Sequence, residues 1–69
     1  MGASVYKVVE LIGTSPKSWE EAAKIAVETA GESLKNLRVA EIRELDMTVE
    51  DGKTLLYRAK VGLSFKYTR

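Results

Sequence analysis

From Leu55 to Tyr67 the sequence reads LLYRAKVGLSFKY. Leu55, Tyr57, Ala59, Val61, Leu63, Phe65 and Tyr67 share one parity and are apolar, whereas Leu56, Arg58, Lys60, Gly62, Ser64 and Lys66 leave the other parity mostly polar. Successive side chains of a strand point to opposite faces, so the alternation predicts one half-buried β-strand. At about 3.3 Å per residue it extends roughly 43 Å, against a usual strand of about five or six residues. A chain of 69 residues cannot cover that length alone, and an assembly of several copies is the expected functional unit.

Working upstream, Glu50-Asp51-Gly52-Lys53 precedes the long strand. Asp-Gly between two strand-like runs predicts a hairpin, because both central turn positions tolerate positive φ. Arg38 to Val49 (RVAEIRELDMTV) has a strand's composition with a slipped alternation. Val39, Leu45, Met47 and Val49 share one parity and Ala40 and Ile42 the other, so a bulge or bend is expected near Arg43-Glu44. Trp19, Ala22, Ala23, Ala26, Ala30, Leu34 and Leu37 recur at spacings of three and four, an apolar stripe predicting a helix of about 17 residues. Ser18 with Glu21 forms a capping box, and Ser15-Pro16 offers a second start. Val5 to Ile12 (VYKVVELI) reads as a first strand bounded by Gly13. Lys7 and Glu10 are its polar members, so it is expected to be covered on much of both faces, in a central position or at an interface.

The predicted order is therefore β-α-β-β, an α+β fold with the helix on the apolar face of a three-stranded antiparallel sheet, in one domain over residues 1–69. The 69 residues contain no cysteine and no histidine. Disulfides and thiolate metal sites are excluded, zinc and haem lose their commonest ligands, and Ser-His or Cys-His catalysis is impossible. Carboxylates, lysines and tyrosines remain as acid-base candidates with no evident partner, and no enzyme is expected. A net charge of +1 gives no bias towards nucleic acid. The apolar runs are too short for a membrane span or a secretory signal, and a cytoplasmic location is expected.

Three pieces, VYKVVELIGTSPKSWEEA, NLRVAEIRELDMTVEDGK and YRAKVGLSFK, together resemble the dodecin family from Val5 to Lys66. The most telling parts are the Gly13-Thr14-Ser15 turn, the capped Ser18-Trp19-Glu20-Glu21-Ala22 start, and the strand end from Val61 to Phe65. The resemblance implies a strongly curved sheet wrapped around its helix, and a homododecamer of twelve copies forming a hollow shell. Flavin-binding members of the family stack a tryptophan on the isoalloxazine ring and hydrogen-bond its polar edge with a glutamine. The tryptophan's position falls on Val39 and the glutamine's on Arg58, which offer neither an aromatic face nor an acceptor. With these departures the chain is similar to dodecins described as calcium-binding, and binding of riboflavin or flavin mononucleotide is disfavoured.

By the same resemblance the inner pocket falls on Val39, Glu41, Glu44, Arg58 and Lys60. Arg58 and Lys60 suit a phosphate or carboxylate, or else they pair with Glu41 or Glu44. Asp46, Glu50 and Asp51 are the candidate calcium ligands, since calcium takes six to eight hard oxygens. They match no EF-hand loop, and within one chain a solvated hairpin is the simpler reading. A symmetry axis changes that, because it gathers copies of a single carboxylate. Trp19, one residue after the cap, is expected in the core or at a subunit contact. The expected function is non-enzymatic binding, storage or buffering of a small ligand or ion, with a flavin-storage dodecin or a purely structural cage as the alternatives.

Overall fold

The computed structural model describes residues 3–67; Met1, Gly2, Thr68 and Arg69 lie outside the described residues. The chain forms β1 (Tyr6–Ser15), α1 (Trp19–Gly31), β2 (Leu37–Glu50) and β3 (Lys53–Lys66). The strands make one antiparallel sheet in the order β1-β3-β2, so the long alternating strand is central. It spans 14 residues. The turn joining it to β2 is the expected tight one. Glu50 pairs with Lys53, and Asp51 and Gly52 take φ of 54° and 74°, the two positive values that match a hairpin turn to strand twist.

The first strand departs from its predicted place in two respects. It was expected to stop at Ile12, yet Gly13, Thr14 and Ser15 continue the ladder opposite Ala59, Arg58 and Tyr57. Gly13 serves close packing rather than a turn: a Cβ there would run into the carbonyl oxygen of Ala22 and the methyl of Ala26 on α1. β1 is also an edge strand, not a central one, and Tyr6, Val8 and Ile12 are exposed in the single chain. The central position predicted for it is taken by β3 instead.

Ser18 caps α1, its Oγ accepting from the Glu21 backbone N–H at 3.0 Å. The return arm of the capping box is relayed. Glu21 accepts from the Ser15 hydroxyl at 2.6 Å, and Ser15 Oγ in turn accepts from the Lys17 N–H at 2.9 Å and the Ser18 N–H at 3.5 Å. Ser15 is fully buried, and this relay satisfies its hydroxyl. The helix is shorter than predicted, 13 residues rather than about 17. Glu32 caps it after Gly31, Leu34 donates back to the Ala30 carbonyl at 2.8 Å, and Asn36 at φ 63° turns the chain into β2. Leu34 and Leu37 still pack on the core, from outside the helix.

The core is small. Ala22, Ala26 and Ala30 of α1 meet Ala59, Val61 and Leu63 of β3. Alanine brings the helix close to the sheet and buries little area per residue. At 1.5 Å per residue α1 is about 20 Å long, while β3 at 3.3 Å per residue is about 46 Å. The molecule measures 53 × 20 × 15 Å. Beyond Ser15, whose partner is Tyr57, the hairpin continues as two strands without β1 or the helix beneath it.

Candidate functional site: the outer face of the sheet and the open groove under the helix

Strand parity fixes what lies on the face turned away from α1. From β3 come Arg58, Lys60, Gly62 and Ser64, and from β1 come Val8, Glu10, Ile12 and Thr14. β2 contributes Asp46 and Glu44 opposite Arg58 and Lys60, then Glu41 opposite Gly62 and Val39 opposite Ser64. The parity of β2 changes at a register shift between Ile42 and Glu44. This is the bulge predicted near Arg43-Glu44, and it turns Arg43 onto the same face as Glu44.

The charged groups of this face pair within the chain. Arg58 makes a two-pronged contact with Asp46, Nε to Oδ1 at 2.7 Å and Nη2 to Oδ2 at 3.1 Å. Lys60 Nζ lies 3.1 Å from Glu44 Oε1, the pairing expected from the sequence. Arg43 reaches Glu10 Oε2 through Nη1 at 2.8 Å and Glu41 Oε1 through Nε at 3.0 Å. Arg58 therefore pairs with Asp46 and not with Glu41 or Glu44, because the bulge sets Asp46 directly across from it. The hydrogen bond from Arg58 holds the Asp46 carboxyl below the usual carboxylate range. Arg58 and Lys60 are raised by their carboxylate partners Asp46 and Glu44, and Arg43 is raised by Glu10 first and Glu41 second.

Trp19 ties the helix start to this arrangement from the opposite face. Its indole Nε1–H donates to the Asp46 carbonyl at 2.9 Å, and its ring meets Tyr57 edge-on at 5.1 Å between centroids. Beside it lies a groove of about 400 Å³ lined by Trp19, Glu20, Ala23, Ile42 and Leu45. Ile42 and Leu45 sit on the helix-side face of β2, yet they are 48% and 50% exposed because α1 leans on β1 and β3. The sequence reading did not mark this groove. Its signal was the parity slip of β2, which places Ile42 and Leu45 on one face across the bulge.

Of the sequence-predicted pocket residues, Glu41, Glu44, Arg58 and Lys60 share the outer face, each in an ion pair. Val39 stands at the end of that face, 54% exposed, in one cross-strand row with Ser64 and Val8. The candidate calcium ligands are not brought together. Asp46 is engaged by Arg58, Glu50 lies opposite Lys53 at the hairpin end, and Asp51 is in the turn. Among the described residues no three acidic side chains gather where one metal ion could be held, and no helix is long and apolar enough to cross a membrane. Glu10, and the pairing of Arg43 with it, are what sequence reasoning left out of the site. Gly62, a gap in the polar parity between them, was the available sign.

A three-stranded antiparallel sheet packed on one alanine-lined helix, with a self-paired charged outer face, defines a small two-layer α+β domain. The family model for dodecin matches residues 5–68, and the chain belongs to the dodecin family. It is 51% identical over 63 residues to calcium dodecin of Mycobacterium tuberculosis, covering 91% of this chain and 89% of that one. A crystal structure of that organism's calcium dodecin, described as calcium-chelating with a novel calcium-binding site, superposes with a TM-score of 0.82 at 52% identity over 94% of this chain and 93% of the other. Dodecin from Streptomyces coelicolor gives a TM-score of 0.92 at 29% identity, covering 100% of this chain and 99% of its own.

Proposed function

We propose that this dodecin is a non-enzymatic, cytoplasmic, cation-binding shell, a homododecamer that buffers or stores its ion and has lost the flavin-stacking site. The observation that carries the loss of the flavin site is the two-pronged Arg58–Asp46 contact. Arg58 occupies the position where the family resemblance places a flavin-binding glutamine, and its guanidinium is already committed to a carboxylate. Val39 supplies no ring on which an isoalloxazine could stack. Losing the stacking costs about 0.5–1.5 kcal/mol beyond area burial, and an unpaired ring-edge donor costs roughly 1–3 kcal/mol. Together they weaken flavin binding about 10-fold to 2,000-fold.

Calcium is the favoured ion because the relative at 51% identity is a calcium dodecin. Asp46, Glu50 and Asp51 do not form a site within one chain, so the ligands must be completed by copies meeting at a symmetry axis. The exposed apolar side chains of β1 and β2 support assembly. The test is thermal melting at fixed chain concentration, with and without calcium, beside a riboflavin fluorescence titration. A calcium-dependent rise in Tm with no flavin quenching is the expected result. No calcium shift returns these carboxylates to solvent and leaves a structural cage, and submicromolar riboflavin quenching restores the flavin reading.

A further inference from the structure

Glu10, Gly62 and Glu41 lie in one cross-strand row on the outer face, with Gly62 paired to both carboxylate-bearing residues. Neighbouring strands are about 4.8 Å apart, so two like charges flank a central position with no side chain. Arg43, the extra residue of the bulge between Ile42 and Glu44, is turned over that gap. Its Nη1 reaches Glu10 at 2.8 Å and its Nε reaches Glu41 at 3.0 Å. A Cβ on Gly62 would overlap Cζ, Nε and Nη2 of the guanidinium. Gly62 is buried although it lies on the polar parity of β3, because this guanidinium covers it.

We infer that Arg43 is a clamp across all three strands, seated in a cradle that Gly62 leaves open, and that it fixes the spacing of the two edge strands. The bulge supplies the aim, the glycine supplies the room, and the two carboxylates supply the anchors. A planar guanidinium with its donors in a rigid fork spans the row, and a lysine cannot hold both carboxylates in the same plane. The edges so fixed are β1 and β2, the strands with most of the exposed apolar side chains. The clamp's consequence for closure of a shell rests on the assembly proposed above; the clamp itself does not.

The two are separated by a double-mutant cycle in thermal melting, run beside native mass spectrometry of the same samples. In a strand interior alanine is ordinarily better than glycine. With Arg43→Ala in place, Gly62→Ala is expected to raise Tm by about 2–8 °C. With Arg43 present, Gly62→Ala is expected to lower Tm, since the new methyl evicts the guanidinium. That reversal of sign is the signature, and the same sign in both backgrounds overturns the clamp. If Gly62→Ala alone gives no folded protein, recovery on adding Arg43→Ala supports the inference and failure to recover overturns it. Glu10→Gln is expected to lower Tm beside Arg43 and to leave it unchanged beside Arg43→Ala. Absence of a high-mass species for the unmodified chain defeats the shell and leaves the sign reversal to be read as before.

Discussion

β1 and β2 flank the same central strand, and they have opposite relations to the helix. On the helix side of β1, Gly13 touches α1 and Ser15 is fully buried against its first turn. All 14 residues of β2 escape full burial, and Ile42, Leu45, Met47 and Val49 are exposed. Composition does not explain this, since β2 is as rich in apolar residues as many core strands. Position does: the alanines of α1 dock over Gly13 of β1 and over Ala59, Val61 and Leu63 of β3, which leaves β2 to one side. The covered half is held within the chain, and the open half presents the exposed apolar side chains of Ile42, Leu45, Met47 and Val49, the kind of surface that marks an interaction site.

The largest effect should come from striking the covered half. A 69-residue domain has a stability of about 3–10 kcal/mol. Leu63 is fully buried, and trimming it to alanine costs about 2–5 kcal/mol, a large share of that total. Leu63→Asp adds an unpaired buried charge, and circular dichroism should show an unfolded chain at any concentration. A folded Leu63→Asp protein would mean that the α1–β3 interior is not what holds the chain together.

Charge placed on the open half should act differently. Ile42→Lys with Leu45→Lys leaves the buried residues untouched, so the isolated chain should lose less than about 1 kcal/mol while the high-mass species disappears from native mass spectrometry. Retention of that species would show that the strip beside Trp19 faces solvent even in the assembly, and the contrast between the two strands would lose its meaning.

Much of this contrast could be read before the structure, for reasons that individual residues make plain. Leu55 to Tyr67 alternates so strictly that its face assignment followed from parity alone, and Asp51-Gly52 declared the turn by backbone chemistry. Gly13 is ambiguous because a glycine that ends a strand and a glycine that admits a helix look the same in one sequence; the distinction lies in Ala22 and Ala26, nine and thirteen residues on. Leu34 and Leu37 prolonged the helical stripe because a loop residue and the first residue of β2, packed on the same core, keep a helix-like spacing by accident. At the outer face the ion-pair residues were legible as a set, but their partners were not. A bulge moves every later partner by one, so Arg58 meets Asp46 where an unbroken ladder would set Leu45 opposite it, and Arg43 turns across the sheet.

A moderate effect tests the hinge between the two halves. Trp19 is bound to the open strand through the Asp46 carbonyl and to β3 through Tyr57. Trp19→Phe keeps an aromatic ring beside Tyr57 and deletes the N–H donor, so it should cost about 0.5–1.5 kcal/mol. Amide hydrogen exchange should quicken around Asp46 and stay slow at Val61 and Leu63. Uniformly faster exchange would show that β2 is not separately anchored.

The smallest effect concerns the outer face and its response to acid. Asp46 is depressed below its ordinary value of 3.8, chiefly by the hydrogen bond from Arg58. A carboxylate whose folded pKa is lowered contributes stability that is fully present above the unfolded value and is lost as pH falls through the folded one. The relevant window is therefore below about pH 4. Lys60 and Arg58 are raised by their partners Glu44 and Asp46 and hold their share into the alkaline range, so they do not enter the acid limb. Arg58→Gln removes the group that depresses Asp46, and its Tm should fall less between pH 4 and pH 2.5 than that of the unmodified chain. The covered half contributes nothing to this difference, because its core is aliphatic. The pair is exposed and screened, so the gap between the two proteins should be small and should narrow further at molar salt. Parallel acid limbs in low salt would mean that Asp46 and Arg58 do not act as a pair in solution, and the outer face would then have a guanidinium free for a ligand.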